Sequence, residues 1–150
     1  MAFDITTSME VMQTALVGSD LFRGVDIRHV DTAPPAGPYA ALEPVSMSVV
    51  STTLTSAIEV HVVKVALYLA PFLQDQQNRV LKASILTSQV ADLFYGDFTL
   101  GGNVRNIDIA GQYGTPLEVE FVDVETADVP THVANITVPL IVDSGTSFVA

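Results

Sequence analysis

Apolar residues recur at the spacing of an amphipathic α-helix in two stretches of the chain. In residues 7–17, Met9, Met12 and Leu16 fall on one face of a helix. Residues 78–95 predict a second helix with a broader apolar face, which comprises Leu81, Ile85, Leu86, Val90, Leu93 and Phe94. The pattern therefore predicts two helices, each with one side against a core.

Alternation of apolar and polar residues with a period of two, together with many β-branched residues, predicts strands elsewhere. These strands cover residues 25–30, 58–69, 105–109, 117–121 and 134–142. In the second strand the apolar positions change parity between Val62 and Val63, which predicts a bulge or an exchange of faces. Pro139 cannot donate a ladder hydrogen bond, so the last strand is expected at a sheet edge or with an unpaired end.

The order of these elements is helix, two or three strands, helix, three strands. The count is open because residues 45–56, rich in serine, threonine and valine, are compatible with a strand or with a mobile loop. Segregated rather than alternating elements favour an α+β fold over a doubly wound one. We expect a single domain over residues 1–150, with a largely antiparallel sheet and two helices packed on one of its faces.

A proline-rich segment, residues 32–38, lies between the first two strands. Its three prolines and one glycine exclude regular structure and predict an extended, stiff loop. A proline-rich recognition ligand is the functional alternative. Because the Pro35-x-x-Pro38 pattern has no flanking basic residue, the loop interpretation is favoured.

Composition indicates a partner. Apolar residues make up 49% of the chain and charged residues only 15%, so a partner is expected to cover part of the apolar surface. The formal net charge of −11 repels nucleic acid phosphates and argues against direct DNA binding. The same acidity could line a channel along which DNA slides, or could simply keep the protein soluble.

The densest acidic cluster comprises Glu118, Glu120, Asp123, Glu125 and Asp128. A calcium site would require these carboxylates to converge on one point. In a calcium-binding loop a glycine makes the sharp turn that brings the ligands together, and that glycine pattern is missing here. A solvated or channel-facing surface is therefore the favoured interpretation, and no bound metal is expected.

The sequence has no motif that predicts a catalytic or cofactor-binding site. The segment Asp143-Ser144-Gly145-Thr146 resembles the active-site loop of aspartic proteases, but the chain has no second Asp-Ser/Thr-Gly. In such enzymes the strands that follow this loop hold it in place, and the three residues after Ser147 are too few to form them. The segment 143–146 is therefore expected to be a polar turn. The three histidines are not at metal-ligand spacing, and the chain has no cysteine. We expect neither an enzyme nor a bound cofactor.

The first five residues lack the basic and apolar regions of a signal peptide. No apolar run reaches the ~18 residues that a membrane-spanning helix needs. Synthesis in a cytoplasm, without membrane insertion, is therefore expected.

Two motifs in the second half of the chain resemble a known family. They are Phe98-Thr99-Leu100-Gly101-Gly102, followed by Val104-Arg105, and Val138-Pro139-Leu140-Ile141-Val142. Together they resemble the tail terminator proteins of long-tailed bacteriophages, especially those of actinobacterial hosts. In that family a long helix ends at a glycine, a short turn starts a strand, and the chain closes on a further strand. Residues 122–131 depart from the family pattern, being more acidic and containing a proline.

The resemblance implies a structural protein of the virion. Tail terminators form a ring, usually a hexamer, that caps the tail tube, stops its polymerisation and docks to the head-completion proteins while DNA passes through. It implies assembly in the host cytoplasm and a place in the tail-neck region, and it makes the acidic cluster a candidate channel wall. Candidate docking loops to the tube or neck then include Pro34, Pro35, Pro38, Met47, Val49 and Leu54.

Two alternatives stay open. A head-tail connector or stopper protein of the neck is also an acidic ring, but those proteins tend towards small β-barrels, so the helix at residues 78–95 argues against this alternative. A small-molecule or peptide binding module would need a concave apolar pocket. An oligomer measurement separates the alternatives, because only the neck proteins must form a ring.

Overall fold

A six-stranded sheet with two helices is the architecture of this chain, seen in a computed structural model that describes residues 3–28, 38–52, 56–68, 76–97, 99–126 and 129–144. The strand order is β1-β2-β3-β6-β4, and β5 also pairs with β6. The elements are α1 (Ile5–Gly18), β1 (Gly24–Ile27), β2 (Tyr39–Thr52), β3 (Ala57–Tyr68), α2 (Gln76–Gly96), β4 (Asn106–Ile107), β5 (Glu118–Thr126) and β6 (Val129–Ser144). Among the strand pairs of the described residues only β1 and β2 are parallel, so the predicted α+β class with a largely antiparallel sheet is confirmed.

Both helices pack on the same face of the sheet. Met9, Met12 and Leu16 of α1 are buried, as their spacing predicts. They share one apolar core with alternate residues of the central strands, which are Val63, Val65 and Leu67 of β3 and Ala134, Ile136, Val138, Leu140 and Val142 of β6. Because strand side chains alternate between faces, this core lies on one side of the sheet, which we call the helix face.

The apolar face predicted for α2 is partly wrong. Leu81 and Ile85 are 52% and 61% exposed, whereas the buried positions of α2 are Ala83, Leu86, Thr87, Val90 and Phe94. Apolar residues therefore lie on two sides of this helix. The row through Leu86, Val90 and Phe94 continues for two turns and packs against the sheet, so it determines which side is buried. The apolar row through Leu81 and Ile85 is left outside.

The stretch that could be strand or loop is strand as far as Thr52. It pairs with β3 from Ser46 opposite Val62 to Thr52 opposite Ala57. Register shifts lie between Pro44 and Ser46 and between Val49 and Ser51. The mobile-loop alternative is therefore wrong for residues 45–52, and residues 53–55 lie outside the described part of the chain.

The irregularity predicted at Val62 and Val63 exists, but on the neighbouring strand. Pro44 pairs with Val63 and Ser46 with Val62, so Val45 of β2 is the extra residue. The ladder between β3 and β6 continues through Val62 and Val63 without a shift. The change of parity along β3 therefore marks where its partner bulges, and β3 itself stays regular.

The expectation for Pro139 is wrong, because β6 is a central strand that is paired up to Ser144. Pro139 lies opposite Val62 of β3, and its carbonyl accepts a hydrogen bond from the Asp108 N–H on the other side (3.0 Å). In an antiparallel strand the N and O of one residue point the same way. The missing N–H of Pro139 therefore faces the gap between β4 and β5, where no ladder bond is lost.

The strand predicted at residues 105–109 is only two residues long, because Asp108 turns the chain. Its buried carboxylate accepts hydrogen bonds from the backbone N–H groups of Gln112 and Tyr113, both at 2.8 Å. These bonds hold the loop between β4 and β5 in a compact turn. The Leu117 N–H then donates to the Ile109 carbonyl, which brings the chain into β5.

Candidate interaction surfaces

The sheet face away from the helices, which we call the open face, has both apolar and polar residues, and its polar residues are clustered. Residues opposite one another in a ladder share a face, so the register identifies its members. They include Asp26, Tyr39, Glu43, Lys64, Tyr68, Asn135, Thr137, Glu118 and Glu120. The exposed members of this set are the carboxylates Asp26, Glu118 and Glu120.

At the β1 end of the open face, Tyr39 is the centre of a hydrogen-bonded cluster. Its hydroxyl donates to the Asp26 carboxylate and accepts from Arg28 Nε at 3.0 Å, while the Arg28 guanidinium lies 5.6 Å from its ring centroid. Burial raises the pKa of Tyr39, and the hydrogen bond to Asp26 raises it further. Burial also raises the pKa of Tyr68, whose ring centroid is 6.4 Å from that of Tyr39. These contacts position the rings, and they include no nucleophile.

At the β5 end of the open face there is a groove of about 420 Å³. It is lined by Val45, Val62, Lys64, Glu118, Val119, Glu120, Asn135 and Thr137. Lys64 is 2.6 Å from a carboxylate oxygen of Glu43, in a partly exposed ion pair. Glu118 and Glu120 are exposed, and their carboxylates make one wall of the groove acidic.

The acidic cluster predicted from sequence is thus only partly located. Glu118 and Glu120 are exposed on the open face, as a solvated or channel-facing surface requires. Asp123 and Glu125 belong to β5, opposite His132 and Pro130 in the ladder with β6. Asp128 lies outside the described residues.

The far end of β2 is an exposed apolar segment. Val45, Met47 and Val49 are 57%, 56% and 52% exposed, and Val50 is exposed as well. Because β1 pairs with β2 only as far as Leu42, the rest of β2 forms the edge of the sheet in the part of the chain that the structure describes. No charged residue occurs between positions 44 and 52.

Among the candidate docking residues, Met47 and Val49 are therefore exposed on a strand rather than on a loop. Pro38 precedes β2, and its carbonyl accepts the Arg23 N–H at 2.8 Å. Pro34, Pro35 and Leu54 lie outside the described residues.

The sequence interpretation did not identify two features of the surface. One is the outward row of Leu81 and Ile85 on α2, which periodicity assigned to the core. The other is the Tyr39 cluster, which forms only when β1 and β2 pair in parallel and bring Asp26 beside Tyr39. The spacing of apolar residues could have indicated the exposed row of Leu81 and Ile85. It gives α2 two apolar rows, and only one of them can face a single sheet.

The two short motifs that resemble those of tail terminators are neighbours in space. After α2 the chain makes a tight turn in which the Thr99 carbonyl accepts the N–H groups of Gly102 (3.0 Å) and Val104 (3.2 Å). Gly101 and Gly102 adopt positive φ angles, and Leu100 does so at φ 49° with its side chain buried. The Arg105 N–H then donates to the Ile141 carbonyl at 2.9 Å. The turn is thereby joined to the segment of β6 that contains the second motif.

In the described part of the chain, no three His, Asp or Glu side chains come together as a metal site would require. Neither of the described helices has the length and apolar character needed to span a membrane.

No model of a known protein family matches the chain, and no curated protein is significantly similar to it.

Proposed function

We propose that this chain is a structural subunit of a bacteriophage virion, a tail terminator that caps the tail tube as a ring. The observation that supports this most is the hydrogen bond from Arg105 N–H to the Ile141 carbonyl. It joins the Thr99–Arg105 turn to β6, so the two motifs that resemble the family form one structural unit.

Capping needs no covalent chemistry. A tube grows by adding identical subunits to an exposed ring face, so a protein that matches this face below and differs above stops growth. The proposed partners are further copies of this chain, in a hexamer, the tail tube protein below and the head-completion protein above. The exposed apolar residues of β2 and α2 agree with a subunit that buries surface on assembly.

The open face, with the acids Glu118 and Glu120, is proposed to line the channel. Carboxylates repel the phosphates of passing DNA, so the strand can slide without being held. The proposed location is the tail-neck region of the virion, after assembly in the host cytoplasm.

A tube-growth assay tests the proposal. Tail tube protein from the same genome is polymerised with and without this chain, and tube lengths are measured by electron microscopy. We expect the chain to bind at one tube end as a ring and to stop growth there. Tubes that keep growing uncapped, or a virion reconstruction with this chain outside the neck, would overturn the proposal.

A binding module is a second candidate, supported by the groove beside Lys64, Glu118 and Glu120. Its acidic wall and apolar residues suit a short peptide with a basic residue. Saturable binding of such a peptide by a monomeric chain would favour this candidate over the terminator. A head-tail connector is less well supported, because the 21-residue helix α2 departs from the small β-barrels of that class.

A further inference from the structure

Four residues of the open face lie in one row across four neighbouring strands. Glu43 of β2 lies opposite Lys64 of β3. Lys64 in turn lies opposite Thr137 of β6, and Thr137 lies opposite Glu118 of β5. Because residues opposite one another in a ladder share a face, the lysine in this row has a carboxylate on either side of it. The row therefore gives Lys64 two possible partners, Glu43 and Glu118.

Lys64 is bound to the first of these carboxylates. Its Nζ atom is 2.6 Å from Oε1 of Glu43, whose side chain is 19% exposed. Glu118 is two strands away, at a backbone distance of about 10 Å. Lysine has a flexible four-carbon stem, and the side chain of Thr137 is short, so the ammonium group can approach Glu118 when Glu43 does not hold it. Glu43 therefore determines which carboxylate Lys64 neutralises.

The groove of the open face includes all members of this row except Glu43. Its lining combines three features that suit a basic side chain. Val45 and Val62 offer apolar surface for a carbon stem, and the partly buried Asn135 and Thr137 offer oxygen atoms to N–H donors. The acidic wall supplies the opposite charge. The volume of about 420 Å³ is within the range of small ligand sites.

The acidic wall lacks a counter-ion among the described residues. None of the ion pairs between described side chains includes Glu118 or Glu120, and Lys64 is turned to Glu43 instead. A second copy of this acidic chain, or a nucleic acid phosphate, would be repelled there. A cationic group is attracted, so charge selects the class of ligand.

We propose that the groove binds an arginine side chain from an extended segment of another protein, and that Glu43 keeps the acidic wall available by holding Lys64. Arginine combines an aliphatic stem with a planar guanidinium group that donates several hydrogen bonds to carboxylates. Glu43 is then a positioning residue, because it acts through Lys64 and does not contact the ligand. All lining residues come from one chain, so the site goes beyond the proposed capping function and needs no ring.

Two matched peptides test the ligand. One is an acetylated and amidated tripeptide with a central arginine, and the other has citrulline in its place, which has nearly the same shape but no charge. Each is titrated into the isotope-labelled chain and followed by nuclear magnetic resonance. We expect the arginine peptide to give saturable shifts at the groove residues that weaken with added salt, and the citrulline peptide to give none. Equal binding of both peptides, or shifts confined to another surface, would overturn the proposal.

Variants at the ion pair test the role of Glu43, with circular dichroism to verify folding. Glu43→Gln frees Lys64 to move towards Glu118, so the arginine peptide should bind about fivefold more weakly, as much as a partly exposed ion pair contributes. Adding Lys64→Met removes the competing ammonium group and returns the net charge to that of wild type, so the affinity should be restored. Asp92→Asn, exposed on α2, changes the net charge as Glu43→Gln does and should bind like wild type.

Restored binding is the result that a purely structural role of Glu43 would not give. If Glu43→Gln binds like wild type, or if the double variant stays as weak as Glu43→Gln, the role of Glu43 is overturned. Lys64→Met alone is a second measurement in case Glu43→Gln does not fold. It should bind the peptide at least as tightly as wild type, and weaker binding would contradict the proposal. A wild-type chain that does not bind the arginine peptide overturns the groove as a site, whereas the tube-growth assay still decides the capping function separately.

Discussion

The ring of Tyr39 lies directly over Gly24, its partner in the parallel ladder of β1 and β2. A Cβ atom at position 24 would be 2.9 Å from both Cδ2 and Cε2 of that ring. Real Cβ atoms do not approach so closely, and the Tyr39 ring is itself buried and hydrogen-bonded to Asp26. Glycine at position 24 is therefore what allows β1 to pair with β2.

Gly24→Ala should destabilise the fold by about 1–3 kcal/mol, because the ring or the strand must move. Urea denaturation measures this loss. Gly18→Ala is the matched control, since no atom lies within 4 Å of the added Cβ at the end of α1. If both variants have wild-type stability, the packing of Tyr39 on Gly24 is not a constraint.

Alkaline pH should destabilise the protein through Tyr39 and Tyr68. Burial raises the pKa of both tyrosines above the ordinary value of 10.0, so the folded state favours the neutral phenol. Their contribution to stability is complete below pH 10.0 and is lost as the pH rises through the folded-state pKa values.

Denaturation at increasing pH, with tyrosinate absorbance as a second signal, measures this effect. Replacing Tyr39 and Tyr68 together by phenylalanine removes both titrating groups, so the double variant should lose less stability above pH 10.0 than wild type. Equal losses in the two proteins would show that other groups cause the alkaline unfolding.

Asp108 should be necessary for the turn between β4 and β5. Asp108→Ala leaves the N–H groups of Gln112 and Tyr113 without their carboxylate acceptor, which should cost about 2 kcal/mol. Asp108→Asn keeps one oxygen acceptor and should lose less. Asp92→Ala, at an exposed position of α2, is expected to change stability little. A thermal midpoint of Asp108→Ala equal to that of Asp92→Ala would contradict this role.

The fold could be predicted where one periodic pattern is present. In α1 the residues Met9, Met12 and Leu16 form a single apolar row, and they are the residues that the sheet buries. In α2 two apolar rows compete, and only the position of the sheet decides that Leu86 is buried and Ile85 exposed. Periodicity alone cannot contain that information.

Long-range pairing explains the other differences. Proline is usually found at a sheet edge because it has no N–H to donate to a neighbouring strand. Pro139 lies inside the sheet, but the position of its missing N–H faces the gap between β4 and β5, so no bond is lost. Met47 and Val49 are exposed on a strand rather than on the predicted loop, whereas Leu81 and Ile85 of α2, assigned to the core, are exposed as well. A surface formed by residues distant in sequence depends on the strand order, which local patterns do not determine.

The last prediction concerns the acids of the open face. Glu120→Lys should leave the fold intact, because the side chain is exposed and lies opposite Asn135 in the ladder. If the open face lines the channel, each ring would gain lysines that attract DNA phosphates, so substituted particles should assemble but eject or package DNA slowly.

Glu10→Lys, exposed on α1, changes the net charge equally at a different surface and is the matched control. The measurements are circular dichroism of the purified chains and ejection kinetics of complemented particles. Normal ejection by Glu120→Lys particles, or an equal defect with Glu10→Lys, would remove the channel role and leave these acids to keep the protein soluble.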